Sequence, residues 1–214
     1  MRFSLCSILS LTLLGTAQAH AAADKTTEPL QEVIVTATLR KQPLQSAPVS
    51  ATVLTAETLH AVGQQHFQDV LALTPNLNWA AGTSRPRYFQ IRGIGEREQY
   101  QGAPNPSVGF LIDDIDFSGL GMAATLFDVQ QVEVLRGPQG TRYGANALAG
   151  LIAVRTADPA DTFTMSATGS VADYDTRSLG VTASGPVESL NSAWRLAVQQ
   201  YRSDGFREDD FLGR

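Results

Sequence analysis

Between Thr162 and Ala172 the odd positions carry Phe163, Met165, Ala167, Gly169 and Val171, while the even positions carry only threonine and serine until Ala172. A strand presents alternate residues to opposite faces, so this pattern predicts one apolar face and one polar face. Ser178 to Pro186 repeats it, with Leu179, Val181 and Ala183 on one side. Ala193 to Tyr201 follows, with Trp194, Leu196 and Val198 opposed to Arg195 and Gln199. Strands of about ten residues separated by turns are the pattern of an outer-membrane barrel. A soluble antiparallel sheet with one wet face would account for any one of them; three in succession favour the barrel. The connection Asp173 to Thr176 is short, and the polar stretch Ser203 to Asp210 has the character of the base of an external loop.

Upstream the periodicity is mixed. Val49 to Thr55 reads as a strand, and "AETLHAVG" and "QHFQDVLALTP" read as two short helices ended by Gly63 and Pro75. Arg87 to Gly95, Ser107 to Ser118, "VEVLRG" and "LIAVRT" read as further strands, with Asp113-Asp114 turning a hairpin between Phe110–Ile112 and Ile115–Phe117. Glu96 to Pro106 has no period and is expected to be an exposed loop. The predicted class is an α+β domain with a mixed sheet and short helices, followed by the first strands of an incomplete transmembrane β-barrel.

Further upstream, "EVIVTATLR" (Glu32 to Arg40) is a β-branched run with no apolar neighbour in sequence. Such a lone strand is marginal in water and prone to pairing. It is either an edge strand of the next domain or a strand kept available for a partner's sheet edge. The polar residues 22–31 before it are expected to form a flexible arm.

The chain has 214 residues, a formal net charge of -5 and a single cysteine. Its arginines are scattered and form no basic stripe, which removes the nucleic-acid footprint. Arg2 followed by the apolar run Phe3 to Gly15 and the small residues Ala17, Ala19 and Ala21 predicts a signal peptide over 1–21. That run is shorter than the roughly 20 apolar residues a spanning helix needs. Cleavage would also remove Cys6, leaving an exported chain without disulfides or thiol chemistry.

The stretch "VEVLRGPQGTRYGANALAGLIAVRT" (Val132 to Thr156) first suggests a phosphate cradle. It lacks the lysine of a phosphate-binding loop, since no lysine follows Lys41, and the pattern begun at Gly93 and Gly95 meets Glu98 where a third glycine belongs. The glycines are better read as backbone devices. Gly137 and Gly140 flank Pro138-Gln139 in a tight turn, and Gly144 and Gly150 bracket small residues that let the backbone approach a neighbour. No nucleophile elbow is present. His60 and His66 do not share a helix face and match no zinc spacing. Asp113, Asp114 and Asp116, or Glu96 and Glu98, are explained by turns and solvation before metal binding. Neither an enzyme, a resident metal nor a cofactor is implied.

The export signal, "EVIVTATLR", "IRGIG", the "VEVLRGPQGTRYGANALAGLIAVRT" block and the emerging barrel strands occur in one order, and that order resembles the N-terminal portion of a TonB-dependent outer-membrane receptor. The resemblance covers essentially all of the chain after the signal. It implies an arm over 22–46 with a TonB box at 32–38, whose residues Glu32, Val33, Ile34, Val35, Thr36 and Ala37 pair as a strand with TonB. It implies a plug over 47–159 inside a barrel of about 22 strands, and barrel strands over 160–214 that meet outer-membrane lipid. Arg92 and Arg136 match two plug arginines that meet barrel glutamates, and Gly93, Gly137, Gly140, Gly144 and Gly150 serve turns and packing. Candidate ligand-facing residues are Arg85, Arg87, Tyr88, Arg97 and Tyr100, whose donors and aromatic faces suit an anionic metal chelate. The implied function is energised uptake, with an iron–siderophore complex as leading ligand class. Three strands cannot close a barrel, so the chain is expected to be a partial sequence or a truncated gene product that does not transport alone. The alternative is a soluble periplasmic binding or adhesion module.

Overall fold

In the computed structural model, residues 32–38, 41–61, 67–70, 73–80, 85–98, 106–120 and 124–205 are described. The expected signal segment 1–21 and the expected flexible stretch 22–31 lie outside them, as do Gly63, His66, Tyr100 and most of the loop after Ser203.

The described chain opens with two short strands, β1 (Ile34–Val35) and β2 (Gln42–Pro43), paired antiparallel with Ile34 opposite Pro43. Next comes β3 (Ser50–Thr55), whose last residue caps the helix that follows. The Thr55 hydroxyl accepts the Thr58 backbone N–H at 3.4 Å, so α1 (Ala56–Ala61) begins on a side-chain cap. The helix α2 (Phe67–Val70) buries Phe67 and Val70. Two strands, β4 (Leu77–Ala80) and β5 (Tyr88–Ile91), form a separate antiparallel pair. Then come β6 (Val108–Ile112), β7 (Ile115–Asp116), β8 (Val129–Arg136), the single turn α3 (Gly140–Tyr143) and β9 (Gly150–Thr156).

Five strands make one mixed sheet in the order β3-β8-β9-β6-β7, in which only β6 and β9 are parallel. The hairpin at Asp113-Asp114 is present, and both residues take positive φ, 47° and 66°. That is the turn geometry that suits the right-handed twist of paired strands. The strand β4 was not legible, because "LNWA" has no alternation.

The sheet is covered on both faces. Along β8, Val132 and Val134 join one core with Phe67, Phe89, Phe110 and Ile152. The three phenylalanines meet there, two pairs edge-to-face at 5.3 and 5.0 Å and the third stacked at 5.3 Å. On the other face Leu135 joins Leu111, Leu151, Ala147, Val35 and Ala37. The arm therefore supplies the second layer. Glu32–Thr38 is docked, not free as its sequence suggests: Val35 is fully buried and Ala37 and Thr38 are nearly so. The signal for this lay downstream, in "FLI", "VEVLR" and "LIAV". Strands with apolar residues at consecutive positions need cover on both faces.

The remaining strands are long: β10 (Thr164–Ala172), β11 (Thr176–Val187) and β12 (Ser192–Arg202) form an antiparallel meander. Their lengths of 9, 12 and 11 residues match the roughly 9–11 needed to cross a bilayer at a tilt. The alternation survives in three dimensions. Met165, Leu179, Leu196 and Val198 stand exposed, whereas Gly180 and Ser184 on the opposite face of β11 are buried. No helix among the described residues is long and apolar enough to cross a membrane.

Candidate functional site: a docked strand and the plug–barrel seam

The docked strand is held by side chains that converge from β8 and α3. Glu133 on β8 is 1% exposed. Its carboxylate accepts the Thr36 N–H at 2.7 Å, the Ala37 N–H at 2.9 Å and the Thr36 hydroxyl at 2.5 Å. Gln131, two residues earlier on the same face, donates its Nε2 to Glu133 at 2.6 Å and to the Ile34 carbonyl at 3.2 Å. From α3 the Tyr143 hydroxyl donates to the Ala37 carbonyl at 2.7 Å, and Arg142 Nη1 to the Thr38 carbonyl at 2.5 Å. Burial pushes the Tyr143 hydroxyl above its ordinary 10.0, with the charges of Asp114 and Glu133 adding to the rise and Arg142 opposing it. Tyr143 therefore stays a donor at neutral pH.

The loop that presents α3 depends on backbone angles. Gly137 and Gly144 take φ of 135° and 75°, angles that side chains rarely adopt. Gly150 serves close approach instead: a Cβ there would collide with the Leu135 carbonyl and sit 2.7 Å from Ile91 Cδ1. Gly140 opens α3 with open space around it, so only its place in the turn region matches the expectation. Gly93 follows Arg92 in the turn after β5, and both have positive φ.

Arg92 and Arg136 meet at one hydroxyl. Arg92 Nη2 donates to Ser50 Oγ at 3.3 Å and Arg136 Nε to the same atom at 3.4 Å. Arg136 also reaches the Pro75 carbonyl at 3.3 Å and the Ala51 carbonyl at 3.4 Å. Arg136 is half-buried as expected, but Arg92 is exposed, because its left-handed turn swings it off the end of β5. Neither takes part in an ion pair among the described residues. Two guanidinium groups sharing one neutral acceptor leave a concentration of positive charge on this surface.

Of the loop residues, Arg85 and Arg97 are exposed, while Arg87 lies over the Tyr88 ring at 5.3 Å and donates to the Gly119 carbonyl at 3.2 Å. Tyr100 lies outside the described residues. Glu96 is structural: its carboxylate accepts the Ser107 N–H at 3.0 and 2.9 Å and the Ser107 hydroxyl at 2.7 Å, tying the two ends of the loop. Asp113 likewise accepts the Thr156 N–H and hydroxyl, at 2.9 and 2.8 Å. Burial raises the Asp116 carboxyl, but hydrogen bonds from Ser118 and Asn146 outweigh it and hold the group below 3.8. No three metal-ligating side chains cluster among the described residues.

Sequence reasoning missed the seam between the five-stranded sheet and the meander. Asp128, just before β8, pairs both carboxylate oxygens with Arg195 of β12, through Nε at 2.7 Å and through Nη2. Beside it Phe127 seats on Gly180, where a Cβ would stand 2.7 Å from the ring's Cζ. A cleft of about 440 Å³ opens alongside, lined by His60, Asp128, Thr168, Ser178, Thr182 and Gln199. Arg195 on the polar face of its strand was a legible signal; its partner was not.

A plug-like mixed sheet, a docked N-terminal strand and a barrel meander now stand together, and residues 43–151 match the family model of the TonB-dependent receptor plug domain. The chain belongs to this family. It is similar to the pesticin receptor of Yersinia pestis, 31% identical over 179 residues that span 82% of this chain and 26% of that receptor. Among solved structures it is similar to the ferric yersiniabactin uptake receptor of Yersinia pestis, at 32% identity and a TM-score of 0.57, covering 65% of this chain and 22% of the other. It shares its fold with the pyoverdine outer membrane receptor of Pseudomonas aeruginosa PAO1, at 20% identity and a TM-score of 0.66, covering 80% and 24%. The chain thus spans about a quarter of the length of the relatives it matches. Membership places the TonB-dependent receptor in the bacterial outer membrane and sets aside the soluble periplasmic module.

Proposed function

We propose that the chain is the plug and opening barrel strands of a receptor that draws a scarce, bulky nutrient through the outer membrane. An iron–siderophore complex is the leading ligand class; the similarity to a ferric yersiniabactin uptake receptor supports it. In this reading 1–21 is the signal, 22–46 the arm with the TonB box at 32–38, 47–159 the plug and 160–214 barrel. The partners are TonB with its inner-membrane energising complex, lipid around the barrel, and the ligand.

The observation that carries the reading is the docked strand Glu32–Thr38. Its backbone already makes strand-type hydrogen bonds at its edges, so exchange for a partner's strand requires no new fold. Arg92 and Arg136 act as the plug latch: their shared positive surface calls for carboxylates supplied by other parts of a barrel. Arg85, Arg87, Tyr88, Arg97 and Tyr100 contribute to ligand contact from the outward loops. The work is conformational, driven by the ligand's different affinity for two plug states. No bond of the ligand is made or broken, so the protein is not an enzyme.

The test is Ile34→Pro in the full-length protein. Proline removes a ladder donor from the strand that must pair. Energised uptake of radiolabelled ferric siderophore is expected to vanish while surface binding of the same ligand persists. Unchanged uptake would refute the assignment of the box.

A further inference from the structure

We propose that Gln131, Glu133, Arg142 and Tyr143 act as a side-chain stand-in for a β-strand, occupying the edge of Glu32–Thr38 that an incoming strand would need. The inference rests on reading Glu32–Ala37 as the TonB-pairing strand, and it concerns how that strand is kept shut.

In an extended strand the backbone groups of alternate residues face opposite edges. The Leu44 N–H donates to the Val33 carbonyl at 2.8 Å, which turns Val33 and Val35 toward β2. Ile34 and Thr36 therefore face the other edge. There the Ile34 carbonyl takes its proton from Gln131 and the Thr36 N–H gives its own to Glu133. Where the chain turns just beyond, the Ala37 N–H and the Ala37 and Thr38 carbonyls are held by Glu133, Tyr143 and Arg142. Two of the backbone groups that strand addition would use at this edge, the Ile34 carbonyl and the Thr36 N–H, are thus already satisfied by side chains. Strand addition and the clasp are mutually exclusive.

The device is local on one side and remote on the other. Gln131 and Glu133 lie on β8, inside the five-stranded sheet, and β8 pairs with β9 through Glu133 opposite Ala153. Arg142 and Tyr143 sit on the turn between those same two strands. Any movement of the β8–β9 hairpin shifts donors and acceptor together, so the hold on the box reports the state of the plug's central strands. The carboxylate is decisive because it takes three hydrogen bonds from the box by itself. Bonds to a charged acceptor are worth more than neutral ones.

The experiment uses the full-length protein with Ala37→Cys and every other cysteine replaced by serine, so that the reporting thiol is buried in the docked state. Maleimide labels position 37 only when the segment lifts away. Glu133→Gln is expected to raise the labelling rate by roughly ten- to a hundredfold, the size of a lost charge-assisted bond. Tyr143→Phe, which keeps the ring and its packing, is expected to raise it by roughly two- to tenfold. Binding of the soluble C-terminal domain of TonB should tighten in the same order. Unchanged labelling in both variants, with heat-modifiable gel mobility intact, overturns the clasp. A synthetic peptide of residues 30–40 tests the box itself. Failure of that peptide to bind the TonB domain removes the box assignment, whatever the labelling shows.

Discussion

Glu133 is a buried carboxylate with no cation paired to it among the described residues. Its four hydrogen bonds come from two backbone amides, one hydroxyl and one carboxamide. A charge so placed is satisfied only while the arm stays docked, which ties one residue to the position of a segment 97 residues away. Tyr143 completes the hold from outside and carries its own pH signature. Its hydroxyl is raised above the ordinary 10.0 in the folded protein. A raised folded value contributes stability below the unfolded value, and that contribution is lost as pH rises through the folded one. Docking of the arm is therefore expected to be constant up to a pH of about 10 and to loosen above it. The mobility of a nitroxide at position 37, followed from neutral into strongly alkaline buffer, checks this. In Tyr143→Phe the alkaline step should disappear.

At the scale of elements, the three-stranded meander shows how a repeating two-residue pattern becomes a surface with two solvents. Val181 of β11 lies opposite both Ala167 of β10 and Val198 of β12, so one face is continuous across the strands. The other face turns Gly180 to Phe127 and Arg195 to Asp128. Leu196→Arg on the lipid side is expected to cost about 2–4 kcal/mol near mid-bilayer and to reduce the heat-modifiable, folded fraction in outer-membrane extracts. Gln199→Lys on the inner face should leave that fraction unchanged. Equal loss in both would contradict the assignment of the faces.

Across the whole molecule the described part of the arm, 32–38 and 41–46, is a second layer on the five-stranded sheet. Leu111, Leu135 and Leu151 are covered by Val35, Ala37 and their neighbours. Burying a leucine is worth about 1.5–3 kcal/mol, so lifting residues 32–38 weakens the five-stranded sheet they cover. Deleting residues 32–46 is expected to leave a protein that still reaches the outer membrane but whose plug is cut faster by protease added from the periplasmic side. Protease resistance equal to that of the intact protein would show that the second layer contributes nothing to plug stability. Displacing residues 32–38 and loosening the sheet are then coupled, because Val35 and Ala37 belong to the sheet's own core.

The sequence by itself determined whatever repeats locally or is written in backbone chemistry. The alternation from Thr162 onward placed the meander and its two faces, because a strand turns successive side chains to opposite sides. Asp113-Asp114 marked the hairpin and Gly137 a turn only glycine makes readily, whereas Gly144, expected to serve close approach, has open space around it and takes a positive φ instead. The block from Val132 to Thr156 carried the family resemblance. Tertiary structure alone decided what depends on distant partners. A β-branched run with polar neighbours looks free in sequence, and only the uncovered face of β8 and β9 shows where it docks. The pairing of Asp128 with Arg195 spans 67 residues, and that of Thr36 with Glu133 spans 97. Neither leaves a periodic trace, because an ion pair or a hydrogen bond needs only proximity in space. The opening β-strand was readable as a strand. Its being held shut was a property of the fold.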